Sequence, residues 1–98
     1  MNRVLETETF AEEVAELNAI ERAWVDRMRD QYAQSLHVGK PLRGRWLFEK
    51  KIRDLRLYVV IHNNTALFVQ FSRKDNQDEI IDSIANTKEH WFSVIEHA

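Results

Sequence analysis

The chain has 98 residues, 44% hydrophobic and 31% charged, which fits one globular domain with a modest core and leaves too little chain for a second. It has no Cys, which excludes disulfides and thiolate metal sites, and no apolar run approaches the roughly 18–20 residues that cross a bilayer. The net charge of −2 conceals a steep asymmetry.

Residues 1–38 carry four Arg against eight Asp and Glu, and residues 75–98 carry one Lys against six acids. Residues 39–74 carry nine Lys and Arg against two acids. A segment at +7 between segments at −4 and −5 can present an anion-binding face, because exposed charges more than about 10 Å apart are largely screened at moderate salt. The competing expectation is that these cations simply pair with the flanking acids.

In chain order, Arg3 to Glu6 reads as a short strand at a sheet edge. The opening residues lack the apolar stretch of a secretory signal, so the cytoplasm is the expected location. Thr9 with Glu12 fits a capping box, which starts a helix bearing Phe10, Val14 and Leu17 on one face. Asn18 with Glu21 repeats the start signal. The second helix then carries an apolar stripe of Ile20, Trp24, Met28 and Tyr32, with Val25 and Leu36 beside it. The two helices read as a hairpin laid on one face of a sheet.

Gly39 and Pro41 end that helix, since Gly suits a C-terminal cap and Pro bars continuation. The sheet is expected to begin after Gly44, with strands over residues 46–52, 55–62 and 65–71 forming an antiparallel meander. In the middle strand, Leu55, Leu57, Val59 and Ile61 share one face, and Arg56, Tyr58, Val60 and His62 share the other. Asn63-Asn64 suits a tight hairpin because Asn tolerates positive φ. After a polar break at residues 72–75, Asp78 and Glu79 mark a helix start. Ile80, Ile81, Ile84, Trp91, Phe92 and Ile95 give the C-terminal helix an apolar side, with Thr87 expected to cap a separate last segment. Residues 80–84 are expected to pack on the chain's own sheet. Residues 91–95 are expected either to do the same or to meet a partner.

The order of these elements resembles the RelE/ParE superfamily of toxins from prokaryotic toxin-antitoxin pairs. The resemblance spans nearly the whole chain. Its most specific pieces are Gly39-Lys40-Pro41-Leu42-Arg43-Gly44, Arg56-Leu57-Tyr58, and Ser72-Arg73-Lys74-Asp75-Asn76-Gln77. It implies a RelE-like α+β domain over residues 1–98: a short N-terminal strand, a two-helix hairpin on a three- to four-stranded antiparallel sheet, and a C-terminal helix.

In the RelE branch, the resemblance implies a metal-independent, cofactor-free endoribonuclease that cuts messenger RNA on the ribosome and is silenced by a cognate antitoxin in a hetero-oligomer. No membrane partner is implied. Such cleavage needs proton acceptance, charge stabilisation and protonation of a leaving oxygen, all of which clustered Lys and Arg can supply. By this resemblance Lys51, Arg56 and Lys74 carry the chemistry, with Arg73 as a neighbour that replaces Lys74 if the alignment slips. Arg43, Arg45, Lys50, Arg53, Tyr58 and Arg73 are expected to contact RNA.

Two positions depart from the branch. Glu49 stands in place of a further Lys, which makes it a substitute general base. Ile80 stands in place of a base-stacking Tyr, whose role would pass to Tyr58 or His62. The ParE-like branch, whose members bind DNA gyrase, and a non-catalytic homologue that binds an antitoxin or nucleic acid are the alternatives. For Lys50, Lys51 and Arg53 the bland alternative is a solvated strand edge. For Arg56 it is an ion pair with Glu49 across the hairpin. His37, His90 and His97 show no metal-ligand spacing.

Overall fold

The computed structural model describes residues 1–98. Its elements are β1 (Arg3–Glu6), α1 (Glu8–Ala15), α2 (Ala19–Gln34), β2 (Lys40–Arg43), β3 (Leu47–Ile52), β4 (Leu55–His62) and β5 (Thr65–Arg73). A 3₁₀ turn (Lys74–Asn76), α3 (Gln77–Ala85) and α4 (Lys88–Glu96) follow. No helix is long and apolar enough to cross a membrane.

The sheet has five strands in the order β1-β5-β4-β3-β2, with β1 parallel to β5 and the other neighbours antiparallel. This is larger than the three to four antiparallel strands expected. The added strand is β2, whose residues read as a linker in the sequence because they contain Pro41. An edge strand tolerates proline, since its missing N–H can face outward, and Pro41 pairs opposite Phe48 there. The meander is as expected. Arg53 turns the β3–β4 hairpin at φ 54°, and Asn63 and Asn64 turn β4 into β5 at φ 50° and 56°.

A bulge breaks the alternation in β5. Tyr58 pairs with Gln70 but Val59 pairs with Phe68, which leaves Val69 as the extra residue. Phe68 and Phe71, an odd number of residues apart, therefore both face the α1 and α2 side.

The helices start close to where short-range signals place them, and their ends need correction. α2 stops at Gln34 with an extended Ser35 as its C-cap, so Gly39 does not cap it and Leu36 lies beyond the helix. Thr7, not Thr9, caps α1: its hydroxyl accepts the Phe10 N–H at 3.0 Å and donates to the Val69 carbonyl at 2.6 Å. That second bond to β5 is a tertiary preference which local sequence does not carry. The Asn18–Glu21 capping box on α2 forms as expected, with bonds of 2.8 and 3.2 Å. Trp24, Val25, Met28 and Tyr32 are buried along α2, but Ile20 in its first turn is 57% exposed and lies outside the stripe.

Two cores result, one on each face of the sheet. The first joins α1 and α2 to Leu55, Leu57, Val59, Phe68 and Phe71. Phe68 meets Phe10 edge-on at 5.3 Å and Tyr32 at 5.5 Å. Each such fully buried side chain stabilises the fold by ~1.5–3 kcal/mol. The second core joins Leu47, Tyr58, Val60 and Leu67 to Ile81, Ile84 and Ile95.

Residues 91–95 pack on the chain's own sheet. Phe92 stacks on His62 at 3.9 Å and meets Trp46 edge-on at 5.8 Å, while His62 Nε2 lies 2.7 Å from Glu96 Oε2. Trp91 Nε1 is buried there without a hydrogen-bond partner. Thr87 does not cap α4 through its side chain; its hydroxyl bonds back to the Ser83 and Ile84 carbonyls and finishes α3 instead.

Candidate functional site

Residues opposite each other in an antiparallel pair project to the same face. The β3–β4 register places Lys51 opposite Arg56 and Glu49 opposite Tyr58, so Glu49, Lys51 and Arg56 share the face that α3 and α4 cover further along. At the hairpin end that cover stops. Lys51 is exposed and Arg56 half-buried.

Neither Lys51 nor Arg56 forms an ion pair, and the Arg56–Glu49 bridge is absent. Arg56 is held instead by its own turn, with Nη1 donating to the Arg53 carbonyl at 3.1 Å. A carbonyl orients the guanidinium without neutralising it. The pair is thus a solvent-accessible cationic notch, suited to an anion such as a phosphate.

The other candidates are dispersed. Lys50 lies on the opposite face of the sheet, across from Leu57. Arg73 pairs with Leu55 on that face, and its guanidinium reaches Asp54 at 3.1 Å and Glu21 at 3.8 Å. Lys74 lines an open hollow with Asp54, Arg73 and Asp75, and makes no ion pair. Arg43 is tied to Asp82 of α3, whereas Arg45 and Arg53 stand exposed and unpaired at the turns before and after β3.

Tyr58, expected to contact RNA, is instead fully buried, and its hydroxyl lies 2.7 Å from Ser72 Oγ. The side chain alternates to the correct face, but α3 and α4 close over it. Burial pushes its phenol pKa up; the Ser72 hydrogen bond and the nearby Arg56 charge act in the opposite direction. His62, the other stacking candidate, is already occupied by Phe92. Ile80 packs against the second core.

Beside the notch runs a cleft of about 410 Å³ between the β2–β3 edge and α3, lined in part by Lys40, Leu42, Glu49, Asp78 and Ile81. Glu49 therefore belongs both to the Lys51 face and to this cleft. The sequence does not single out Lys40 or Asp78 as site residues. In the sequence Asp78 carries only the signal of a helix start, and its place in the cleft that Glu49 also lines depends on how α3 folds back. No group of three or more His, Cys, Asp and Glu side chains is placed to hold a metal ion.

Neither protein-family models nor curated protein sequences match the chain. Its three-dimensional structure does have counterparts. One is a chain of the intact RelBE toxin-antitoxin complex of E. coli, with TM-score 0.64 and 16% identity over 74% of this chain and 96% of that one. Another is a chain of the RelBE2 toxin-antitoxin complex of Mycobacterium tuberculosis, with TM-score 0.59 and 24% identity over 74% and 96% of the two chains. At this level of identity the likeness establishes the fold, which is RelE-like.

Proposed function

We propose that this protein is the toxin of a toxin-antitoxin pair and that it cuts messenger RNA on the ribosome with the open end of the β3–β4 hairpin. The carrying observation is the Lys51–Arg56 pair: two cations directly opposed on one face, neither neutralised, in a RelE-like fold. The two structural counterparts come from complexes with an antitoxin, which supports an antitoxin partner here. A mostly helical segment, acidic or apolar, that folds on binding would cover the basic face.

In this reaction a ribose 2′-oxygen forms a bond to the adjacent phosphorus, and the bond from phosphorus to the 5′-oxygen breaks. Arg56 stabilises the charge that builds on the phosphoryl oxygens. Glu49, on the same face as Lys51, takes the 2′-hydroxyl proton, and Lys51 protonates the departing 5′-oxygen. Lys74 and the exposed Arg45 and Arg53 hold flanking phosphates, which positions the strand without taking part in the chemistry. The test is primer-extension mapping of a message in a translation extract, with and without the purified protein. Cuts at ribosome-occupied codons that require ongoing translation support the proposal; intact message refutes it.

A second reading has one observation in its favour. Tyr58 is sealed, one face of His62 is covered by Phe92 and position 80 carries an aliphatic side chain, so no tyrosine is presented for a nucleobase to stack on. A binding toxin directed at DNA gyrase, or a non-cutting homologue that binds an antitoxin or nucleic acid, needs no such ring. Gyrase-dependent DNA breaks on expression, with messages intact, would identify the former.

A further inference from the structure

A second concavity lies on another part of the molecule, where α1 ends against β5. It has a volume of about 250 Å³. About 10–15 Å³ of such space is enough to hold one water, so this hollow takes a group much larger than a water. Its apolar lining is Leu17, Leu55 and Phe71, and its carboxylates are Glu13 and Glu16. Glu13 Oε1 accepts the Phe71 N–H at 2.9 Å, and its other oxygen has no protein partner. Neither glutamate forms an ion pair. The one cation in the lining, Arg73, is engaged by Asp54 and Glu21.

This arrangement conflicts with local helix physics. Glu13 and Glu16 are three residues apart at the C-terminal end of α1, where the helix dipole disfavours negative charge; the last turn has no basic residue, and Arg22, whose Nε donates to the Leu17 carbonyl at 2.9 Å, forms no ion pair with either carboxylate. Burial also raises the Glu13 carboxyl pKa, with the Phe71 hydrogen bond opposing the shift only in part. A cation supplied from outside resolves both costs. The apolar lining further favours one carried on a hydrocarbon stem.

We propose that this pocket receives the arginine side chain of a partner polypeptide, with the guanidinium on Glu13 and Glu16 and the methylene stem against Leu17, Leu55 and Phe71. Arginine fits better than lysine because its planar fork can meet two carboxylates while its faces lie on apolar groups. The inference does not depend on RNA cleavage. It concerns a negatively charged site outside the cationic notch, where a nucleic acid would be repelled.

The experiment is an NMR titration of the isotope-labelled full chain with L-arginine amide, following the Phe71 amide and the Leu17 and Leu55 methyl groups. Norleucine amide supplies the control that lacks a guanidinium. Saturable shifts confined to the pocket are expected with arginine amide and not with norleucine amide. Glu13→Gln, which keeps an acceptor for the Phe71 N–H, and Glu16→Gln should each weaken binding by about threefold or more. Heat denaturation of both variants checks that they fold. Absence of saturable shifts, equal binding of norleucine amide, or unchanged affinity in both variants overturns the proposal. So does a short oligoribonucleotide that moves the same signals where arginine amide does not.

Discussion

Tyr58 of β4 and Ser72 of β5 meet hydroxyl to hydroxyl at 2.7 Å, both buried, beside the strand pair that carries the cationic notch. Ser72 is the β5 residue opposite Arg56, and Tyr58 is the β4 residue opposite Glu49. Tyr58→Phe strands the Ser72 hydroxyl in the core, at a cost of about 1–2 kcal/mol. Urea denaturation should show that loss, while RNA cleavage at a temperature where the variant is folded should be unchanged. Loss of cleavage at undiminished stability would mean that Tyr58 contacts RNA after all.

Gly39 and Gly44 bracket β2, and the two should differ in tolerance to alanine. At Gly39, φ is +91° and an added Cβ would lie 2.6 Å from the Glu49 backbone oxygen. At Gly44, φ is +58° and the nearest atom is a Trp46 side-chain carbon at 3.2 Å. Gly44→Ala should therefore cost about 1 kcal/mol, the usual left-handed penalty. Gly39→Ala should cost about 2–4 kcal/mol, since backbone must move. Thermal denaturation of the two variants orders them; equal costs would contradict the close packing of Gly39 against β3.

Tyr32 is fully buried, and its hydroxyl donates to the Val38 carbonyl at 2.8 Å. Burial raises its pKa far above the ordinary tyrosine value. A raised folded-state pKa means that the stabilisation is complete below the unfolded pKa of about 10 and falls as pH climbs above it, because only the unfolded chain then ionises. Stability should decline above about pH 10, and Tyr32→Phe should flatten that decline while costing about 1 kcal/mol at neutral pH. Denaturation midpoints measured from neutral to alkaline pH check both signs. An unaltered alkaline slope in Tyr32→Phe would place the effect elsewhere, Tyr58 being the next buried phenol.

Period and punctuation in the sequence locate most of the fold. Alternation in β4 correctly separates Leu55, Leu57 and Val59 from Tyr58 and Val60, and Asn18 with Glu21 starts α2 at its observed position. The misses occur where a distant contact decides between local options. Thr7 prevails over Thr9 because Val69 offers it a carbonyl, and Lys40–Arg43 becomes a strand because β3 presents a free edge. The candidate site is legible to the same extent. Strand parity puts Lys51 and Arg56 together, whereas exposure depends on where α3 and α4 end, so parity alone reads the buried Tyr58 as a surface group. The shared cleft of Asp78 and Glu49 depends on the same fold-back of α3.

The proposed function requires that the Lys51–Arg56 notch act on the scissile phosphate. The most direct measurement compares the wild-type protein with Arg56→Ala, both shown by circular dichroism to be folded, in ribosome-dependent cleavage of a defined message mapped by primer extension. Arg56→Ala should lower the cleavage rate by about 100-fold or more, the scale for removing a charge-stabilising donor. Wild-type cleavage in Arg56→Ala would contradict the proposed function.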